Sequence, residues 1–178
     1  MKRTVLTKWG SLVVVSALFF MTGCENASDD DGANAGIDPG AVIDASGNIG
    51  DPAFTLVWSY DIAGEGPDID FYVTDPNGAT LSTSRNGYGL GPTPEGGIID
   101  FDDRGAEGDG DGGGPERAYW PQGQAPQGVY SFGVRYYSGT GHANYTMRVY
   151  KGGRLVATKT GTLTERGGTI ELGSISSN

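Results

Sequence analysis

The sequence predicts an all-β fold, an antiparallel β-sandwich of jelly-roll or immunoglobulin-like type, on three observations. The chain has 32 glycines and 9 prolines in 178 residues, which is too many helix breakers for a helical bundle but suits short strands joined by turns. Apolar residues recur with a period of two from Phe54 onward. No segment after residue 30 has the 3.6-residue apolar period of a helix. We therefore expect eight or nine short strands within residues 53–178.

The first 23 residues have the pattern of an export signal. Basic residues, Lys2, Arg3 and Lys8, precede the apolar run Leu12–Met21, which is too short to span a bilayer comfortably. The segment Met21–Cys24 that follows resembles the lipobox of bacterial lipoproteins. That resemblance implies cleavage before Cys24 and acylation of its thiol by palmitate-type chains, so that the mature protein would attach to a membrane without a spanning helix. Because Cys24 is the only cysteine, it has no partner for an intramolecular disulfide or a structural zinc site.

Residues 24–52 are expected to form a disordered acidic tether. The segment is rich in Asp, Ala, Gly and Asn, contains the run Asp29–Asp31, and has almost no bulky side chain before Val42. Removal of the signal leaves 9 basic and 22 acidic side chains, a net charge of −13 that argues against nucleic-acid binding. We expect a cell-envelope location. Glu25 and Asn26 lack the aspartate often linked to inner-membrane retention, which favours the outer membrane, facing the periplasm or the cell surface.

The predicted sandwich domain, residues 53–178, is a series of short strands separated by turns and loops. Phe54, Leu56, Trp58 and Tyr60 share one face of the first predicted strand. The second strand ends at the turn Asp75–Gly78, where proline presets one dihedral and Asn-Gly accepts positive φ. The other predicted strands are Ala79–Thr83, Arg117–Trp120, Val129–Tyr137, Asn144–Lys151, Leu155–Gly161 and Thr169–Gly173, with a short apolar stretch at Ile98, Ile99 and Phe101. The long irregular region Ser84–Gly114 suggests a functional loop, since loops of this length are uncommon in compact domains.

Acidic residues form two groups that suggest a cation site. Asp68 and Asp70 enter the second strand and point to the same face, opposite Ile69. The second group lies in and beside the long loop and comprises Asp100, Asp102, Asp103, Glu107, Asp109, Asp111 and Glu116. Several carboxylates with glycine-rich backbone carbonyls are ligands that Ca²⁺ accepts. The alternative is that the loop acids are only solvated. An EF-hand is excluded, because starting one at Asp109 would place Trp120 at the position of the bidentate glutamate.

Six ordered blocks resemble the YfaP family, whose defining segment is called DUF2135, over about residues 54 to 162. The blocks are Asp68–Val73, Asp75–Gly78, Gly96–Asp103, Gly114–Glu116, Tyr119–Pro121 and Ala125–Tyr130. The resemblance implies a secreted or periplasmic β-sandwich of uncharacterised function, often attached to lipoproteins or larger surface proteins. It places the acids of the family's blocks, as metal-ligand candidates, on Asp68, Asp70, Asp100, Asp102, Asp103 and Glu116. The insert Glu107–Gly113 is longer and more glycine-rich than the family pattern, and the Asp-x-Asp strand also resembles bacterial pre-peptidase C-terminal domains.

The residue inventory favours a binding protein over an enzyme, with no catalytic residues. The only histidine, His142, lies in a predicted turn, and no nucleophile-elbow sequence is present. Five aromatic residues are candidates either for stacking on sugars or for core packing: Tyr88, Tyr119, Trp120, Tyr136 and Tyr137. Three functions are kept open. The first is a Ca²⁺-stabilised ligand-binding or adhesion module, with a glycan or an envelope protein as its partner. The second is a structural envelope protein without a metal, and the third is a glycan hydrolase.

Overall fold

The structure is a computed structural model that describes residues 40–43, 47–60, 66–82, 90–103, 113 and 115–178. Within these ranges the chain forms nine strands and no helix, and every strand pairing is antiparallel. The strands are β1 (Gly50–Tyr60), β2 (Asp68–Thr74), β3 (Thr80–Ser82), β4 (Ile98–Phe101), β5 (Glu116–Pro121), β6 (Gly128–Ser138), β7 (Ala143–Lys151), β8 (Arg154–Leu163) and β9 (Thr169–Ser177). No helix in the described part of the chain has the length and apolar character needed to cross a membrane.

The strands form two sheets that pack against each other, which confirms the predicted antiparallel β-sandwich. One sheet has five strands in the order β4-β5-β1-β7-β8, and the other has four in the order β3-β2-β6-β9. β1 and β2 follow each other in sequence but lie in different sheets, and so do β5 and β6. Residues close in sequence are therefore distributed over both layers.

The core lies between the sheets and is centred on aromatic rings. Trp120 of β5 contacts Phe54 of β1 and Tyr130 of β6, with ring centroids 6.4 and 4.9 Å apart. Phe54 also contacts Phe132, at 5.5 Å. All four side chains are at most 1% exposed. Edge-on and tilted contacts of this kind add to the free energy gained from apolar burial, so these rings hold the two sheets in register.

The turn predicted after the second strand is present where the sequence places it, and a second tight turn joins β7 to β8. In the β2–β3 turn, Asp75 Oδ1 accepts hydrogen bonds from the backbone N–H groups of Asn77 and Ala79, at 2.9 and 3.0 Å. Gly78 alone takes a positive φ there, of 89°. The β7–β8 hairpin turns through Gly152 and Gly153, both with positive φ, as the favoured two-residue hairpin turn requires.

The folded domain begins earlier than the predicted boundary at residue 53. β1 starts at Gly50, and Ile43 bridges Ile49 just before it. Val42 is 2% exposed and packs in a small apolar cluster with Ala53, Tyr119 and Tyr150. A single bulky side chain in a polar segment is too weak a periodic signal to predict this contact. The predicted signal peptide, residues 1–23, and Cys24 lie outside the described residues.

Part of the predicted long loop is ordered by backbone hydrogen bonds. The amide of Thr93 donates to the carbonyl of Gly97, and the amide of Ile99 donates to the carbonyl of Leu90, each at 2.8 Å. β4 then pairs with β5 at the edge of the five-stranded sheet. Residues 83–89, 104–112 and 114 lie outside the described ranges. The described portion between them carries Asp100, Asp102 and Asp103 on or directly after β4.

Candidate metal centre

Three carboxylates from the two sheets meet in one buried cluster, formed by Asp68, Asp70 and Glu116. Each residue offers one carboxylate oxygen, and the three oxygens lie within 4.8 Å of one another. Asp68 and Asp70 belong to β2 of the four-stranded sheet, whereas Glu116 opens β5 of the five-stranded sheet. Their exposed fractions are 6%, 3% and 1%. The sandwich therefore gathers acids that are more than 40 residues apart in sequence.

Strand alternation explains the two aspartates. Ile69 and Phe71 are core residues, so Asp68 and Asp70 alternate with them, as the sequence predicts. A register shift between Asp68 and Ile69 in the β2–β6 pairing marks the entry of the strand. Both aspartates thus stand at the start of β2, before the part of that strand that pairs with β3.

Glu116 contacts β2 through a hydrogen bond from a backbone amide that β3 does not pair with. β3 pairs with β2 only at Tyr72, Val73 and Thr74. The amide of Phe71 lies just before this pairing and donates to Glu116 Oε2 at 3.1 Å. In β5, Glu116 alternates with Arg117 and shares its parity with the core residue Ala118, so its side chain points between the sheets.

Two oxygens of the cluster are buried without an amide or hydroxyl donor among the described residues, namely Asp68 Oδ1 and Glu116 Oε1. The further side-chain neighbour of Glu116 is another carboxyl group, that of Asp102. The other Asp68 oxygen accepts a hydrogen bond of 3.3 Å from Ser138 Oγ. Burial of an ionised carboxylate is costly unless a donor or a cation compensates for the lost hydration. A metal ion bound to these oxygens would supply that compensation, and this cluster is able to hold one.

The electrostatics of the cluster agree with this interpretation. Burial, and next the Asp70 carboxylate, raise the pKa of Asp68 from 3.8 to about 7, against the lowering effect of the Ser138 hydrogen bond. Burial, followed by the charges of Asp70 and Asp102, raises the pKa of Glu116 well above its ordinary value. Crowded like charges and desolvation both disfavour the ionised forms, and a bound cation would reverse both effects.

The six predicted metal ligands separate into three groups in the structure. Asp68, Asp70 and Glu116 converge. Asp102 and Asp103 follow β4 and lie close enough for their charges to raise the pKa of Asp68. Asp103 is itself 3% exposed. The structure therefore places these two acids beside the cluster.

Asp100, the sixth predicted ligand, lies on the other side of its strand. It forms an ion pair of 3.1 Å with Arg117 Nη2. Its neighbour Ile99 is buried in the core, so alternation along β4 turns Asp100 outward, where Arg117 also points. The nearness of Asp100 to Asp102 and Asp103 in sequence does not predict this outward direction, because the register of β4 against β5 decides which way the Asp100 side chain points.

Sequence analysis missed Ser138, the hydroxyl donor to Asp68. Ser138 ends β6 and is the register partner of Asp68 in β2. Only knowledge of the strand pairing could have identified it, since a serine at a strand end carries no signal of its own. The predicted loop acids Glu107, Asp109 and Asp111 lie outside the described residues.

The aromatic residues considered for sugar stacking are mostly core residues. Tyr119, Trp120 and Tyr136 are 6%, 0% and 1% exposed, whereas Tyr137 is 42% exposed. The alternative of core packing is therefore the correct one for the first three. Tyr88 lies outside the described residues. Comparison of the chain with protein-family models, curated proteins and solved structures finds no match.

Proposed function

We propose that this chain is a non-enzymatic lipoprotein of the cell envelope, whose β-sandwich binds Ca²⁺ at Asp68, Asp70 and Glu116 and serves as a ligand-binding or adhesion module. The observation that carries the proposal is the cluster itself: three buried carboxylates from two sheets, with one oxygen of Asp68 and one of Glu116 that no amide or hydroxyl donor in the described residues satisfies. The bound ion would join β2 to β5 and so stabilise the sandwich at the start of both strands.

The donor set favours calcium over other metals. All three ligand residues supply oxygen, and neither nitrogen nor sulfur takes part, which disfavours zinc and copper. Asp102 and Asp103 add carboxylates nearby, which suits the six to eight oxygens that Ca²⁺ accepts. Mg²⁺ usually retains several waters and uses one or two carboxylates, so it fits a buried set of three less well.

The envelope location rests on the N-terminal sequence. The apolar run followed by Met21–Cys24 supports cleavage before Cys24 and acylation of its thiol. The acidic residues after Cys24 would then separate the sandwich from the lipid surface. The resemblance of the six sequence blocks to the YfaP family supports the same location.

A catalytic step is not part of the proposal. The only histidine, His142, is exposed just before β7. The carboxylates of the cluster are buried and belong to a site suited to a cation, and a general acid would need access to a substrate. Binding is therefore the function that these side chains support best.

Calorimetric titration of the metal-free full-length chain with CaCl₂ tests the proposal. We expect a saturable heat and a rise in melting temperature that a chelator reverses. Asp70→Asn should lose the heat. Asp100→Asn is the matched control, because it removes one aspartate charge from the ion pair with Arg117 and should retain the heat. The proposal fails if the unmodified chain shows neither heat nor a change in melting, or if Mg²⁺ binds as tightly as Ca²⁺.

A further inference from the structure

A second feature of the sandwich lies on the opposite face of β5, the strand that carries Glu116. A pocket of about 270 Å³ opens on the outer face of the five-stranded sheet. Its walls include Thr55 and Val57 of β1, Pro115 and Arg117 at β5, and Arg148 and Tyr150 of β7. Because side chains alternate along β5, Glu116 faces the interior cluster while Arg117 faces this pocket. The pocket and the metal centre are therefore separate sites.

The two arginines form a row with a threonine between them. Thr55 is the register partner of Arg117 in β5 and of Arg148 in β7. Directly paired residues of antiparallel strands project to the same face, so the three side chains lie side by side across three neighbouring strands. Adjacent strands are about 4.8 Å apart, which sets the two arginine backbones about 10 Å apart. A small ligand lying over Thr55 is within reach of both guanidinium groups.

The local charge of the pocket is positive although the chain as a whole is acidic. The Asp100 carboxylate neutralises Arg117 by pairing with Nη2 of the arginine. The Arg117 guanidinium also lies over the ring of Phe101, 5.8 Å from its centroid, and this contact helps to fix the position of the guanidinium group. Arg117 Nε is buried and has no hydrogen-bond partner in the described part of the chain. Within the same residues no carboxylate forms an ion pair with Arg148. Two guanidinium groups and one carboxylate leave a net charge of about +1 at the pocket.

We propose that this pocket binds a small monocarboxylate, of monosaccharide or amino-acid size, with its carboxylate between Arg148 and Arg117 and its body against Val57 and Pro115. A guanidinium group offers a planar fork of donors that matches a carboxylate. A single negative charge balances the pocket, whereas the net charge of −10 on the chain repels polyanions. A volume of about 270 Å³ lies just below that of pockets for drug-sized ligands, which sets the ligand size. The biological role of this pocket rests on the proposed binding function, but its chemistry does not require the metal centre.

Titration of the ¹⁵N-labelled full-length chain with D-glucuronate, followed by amide chemical shifts, tests this proposal. We expect saturable shifts at Thr55 and Val57, and none with D-glucose, which has a similar ring but no carboxylate. Arg148→Gln should weaken the affinity about tenfold or more, because a charge-assisted bidentate contact is lost. Arg154→Gln is the matched control, since Arg154 belongs to β8 of the same sheet and does not line the pocket, and it should leave the affinity unchanged.

Four results would overturn the proposal: no saturable shift, equal shifts with glucose, tighter binding of inorganic phosphate than of glucuronate, or unchanged affinity in Arg148→Gln. Arg148→Lys retains the charge but not the planar fork, so an affinity between those of the unmodified chain and Arg148→Gln supports bidentate recognition. The titration is run with Ca²⁺ and with chelator. Loss of glucuronate binding in a chain that still binds Ca²⁺ rejects the pocket alone, and glucuronate binding in a chain that binds no Ca²⁺ rejects the metal centre alone.

Discussion

The backbone amide of Phe71 in one sheet donates a 3.1 Å hydrogen bond to the carboxylate of Glu116 in the other. This bond ties the start of β5 to the start of β2 at the point where β3 no longer pairs with β2. It also holds Glu116 where one of its carboxylate oxygens lies within 4.8 Å of an oxygen of Asp68 and one of Asp70. One side chain thus serves two purposes, because it satisfies an amide that the ladder leaves open and completes a cluster able to hold a cation.

Replacement of Glu116 by glutamine should separate these two purposes. The amide oxygen of Glu116→Gln can still accept the Phe71 hydrogen bond, but the variant lacks the charge. Above about pH 7, where the Asp68 carboxyl is ionised, we expect the metal-free variant to melt higher than the unmodified chain, by about 3 °C for each kcal/mol of repulsion removed. Its affinity for Ca²⁺ should fall about tenfold or more. Differential scanning calorimetry with and without Ca²⁺ measures both effects.

The matched control for this experiment is Glu95→Gln, since Glu95 accepts a hydrogen bond from Asn77 in a different part of the sandwich. That variant should retain Ca²⁺ binding. A metal-free Glu116→Gln chain that melts lower than the unmodified chain would contradict the electrostatic account of the cluster.

The stability of the metal-free chain should fall as the pH rises from about 4 to about 7. The pKa of Asp68 is raised from 3.8 to about 7, and that of Glu116 is raised as well. In this window the folded state holds protons that the unfolded state has released, so the contribution to stability is complete below about 3.8 and is lost through about 7. Urea denaturation at a series of pH values measures it.

The same series on Asp68→Asn should show a shallower fall, which assigns the effect to that residue. Saturating Ca²⁺ should also remove the fall, because the bound ion favours the ionised carboxylates. Parallel pH profiles for the unmodified chain and Asp68→Asn would show that Asp68 does not titrate as described.

Gly97→Ala should destabilise the sandwich by about 1 to 3 kcal/mol through overpacking. A Cβ at this position would lie 2.7 Å from Nε1 of Trp120, whose indole is completely buried. The free energy of unfolding, from chemical denaturation, measures the cost. The matched background is Trp120→Phe, in which the smaller ring leaves space for the added methyl group, so the cost of Gly97→Ala should be smaller there. Equal costs in both backgrounds would assign the effect to the backbone of Gly97.

Substitution of Cys24 should release the protein from the membrane. Without a thiol at residue 24, acylation has no site, so Cys24→Ser should remain unprocessed and lose the hydrophobic modification. Fractionation of bacteria that express the chain, with mass spectrometry of its N-terminus, measures both outcomes. Ser46→Ala, a change in the same predicted tether, serves as control and should remain in the membrane fraction. An unmodified N-terminus at Cys24 in the native chain would contradict the predicted anchor.

The all-β class and much of the strand pattern follow from the sequence because they depend on local chemistry. Alternating apolar residues define which face of β1 enters the core, and Asp-Pro-Asn-Gly encodes the β2–β3 turn through backbone preferences of its own residues. The shared face of Asp68 and Asp70 follows from the same period of two. Each of these features depends on neighbours within a few residues, which a sequence displays directly.

Tertiary structure decided which distant acids meet. Glu116 joins Asp68 and Asp70 because the start of β5 lies beside the start of β2, where the Phe71 amide donates to Glu116. Asp100 turns outward to Arg117 because of its position in β4. The row of Arg117, Thr55 and Arg148 likewise exists only through the registers of three strands. A shift of one residue in any register would send these side chains to the opposite face. Pairing between strands depends on packing over the whole core, which the pattern of a single strand does not contain.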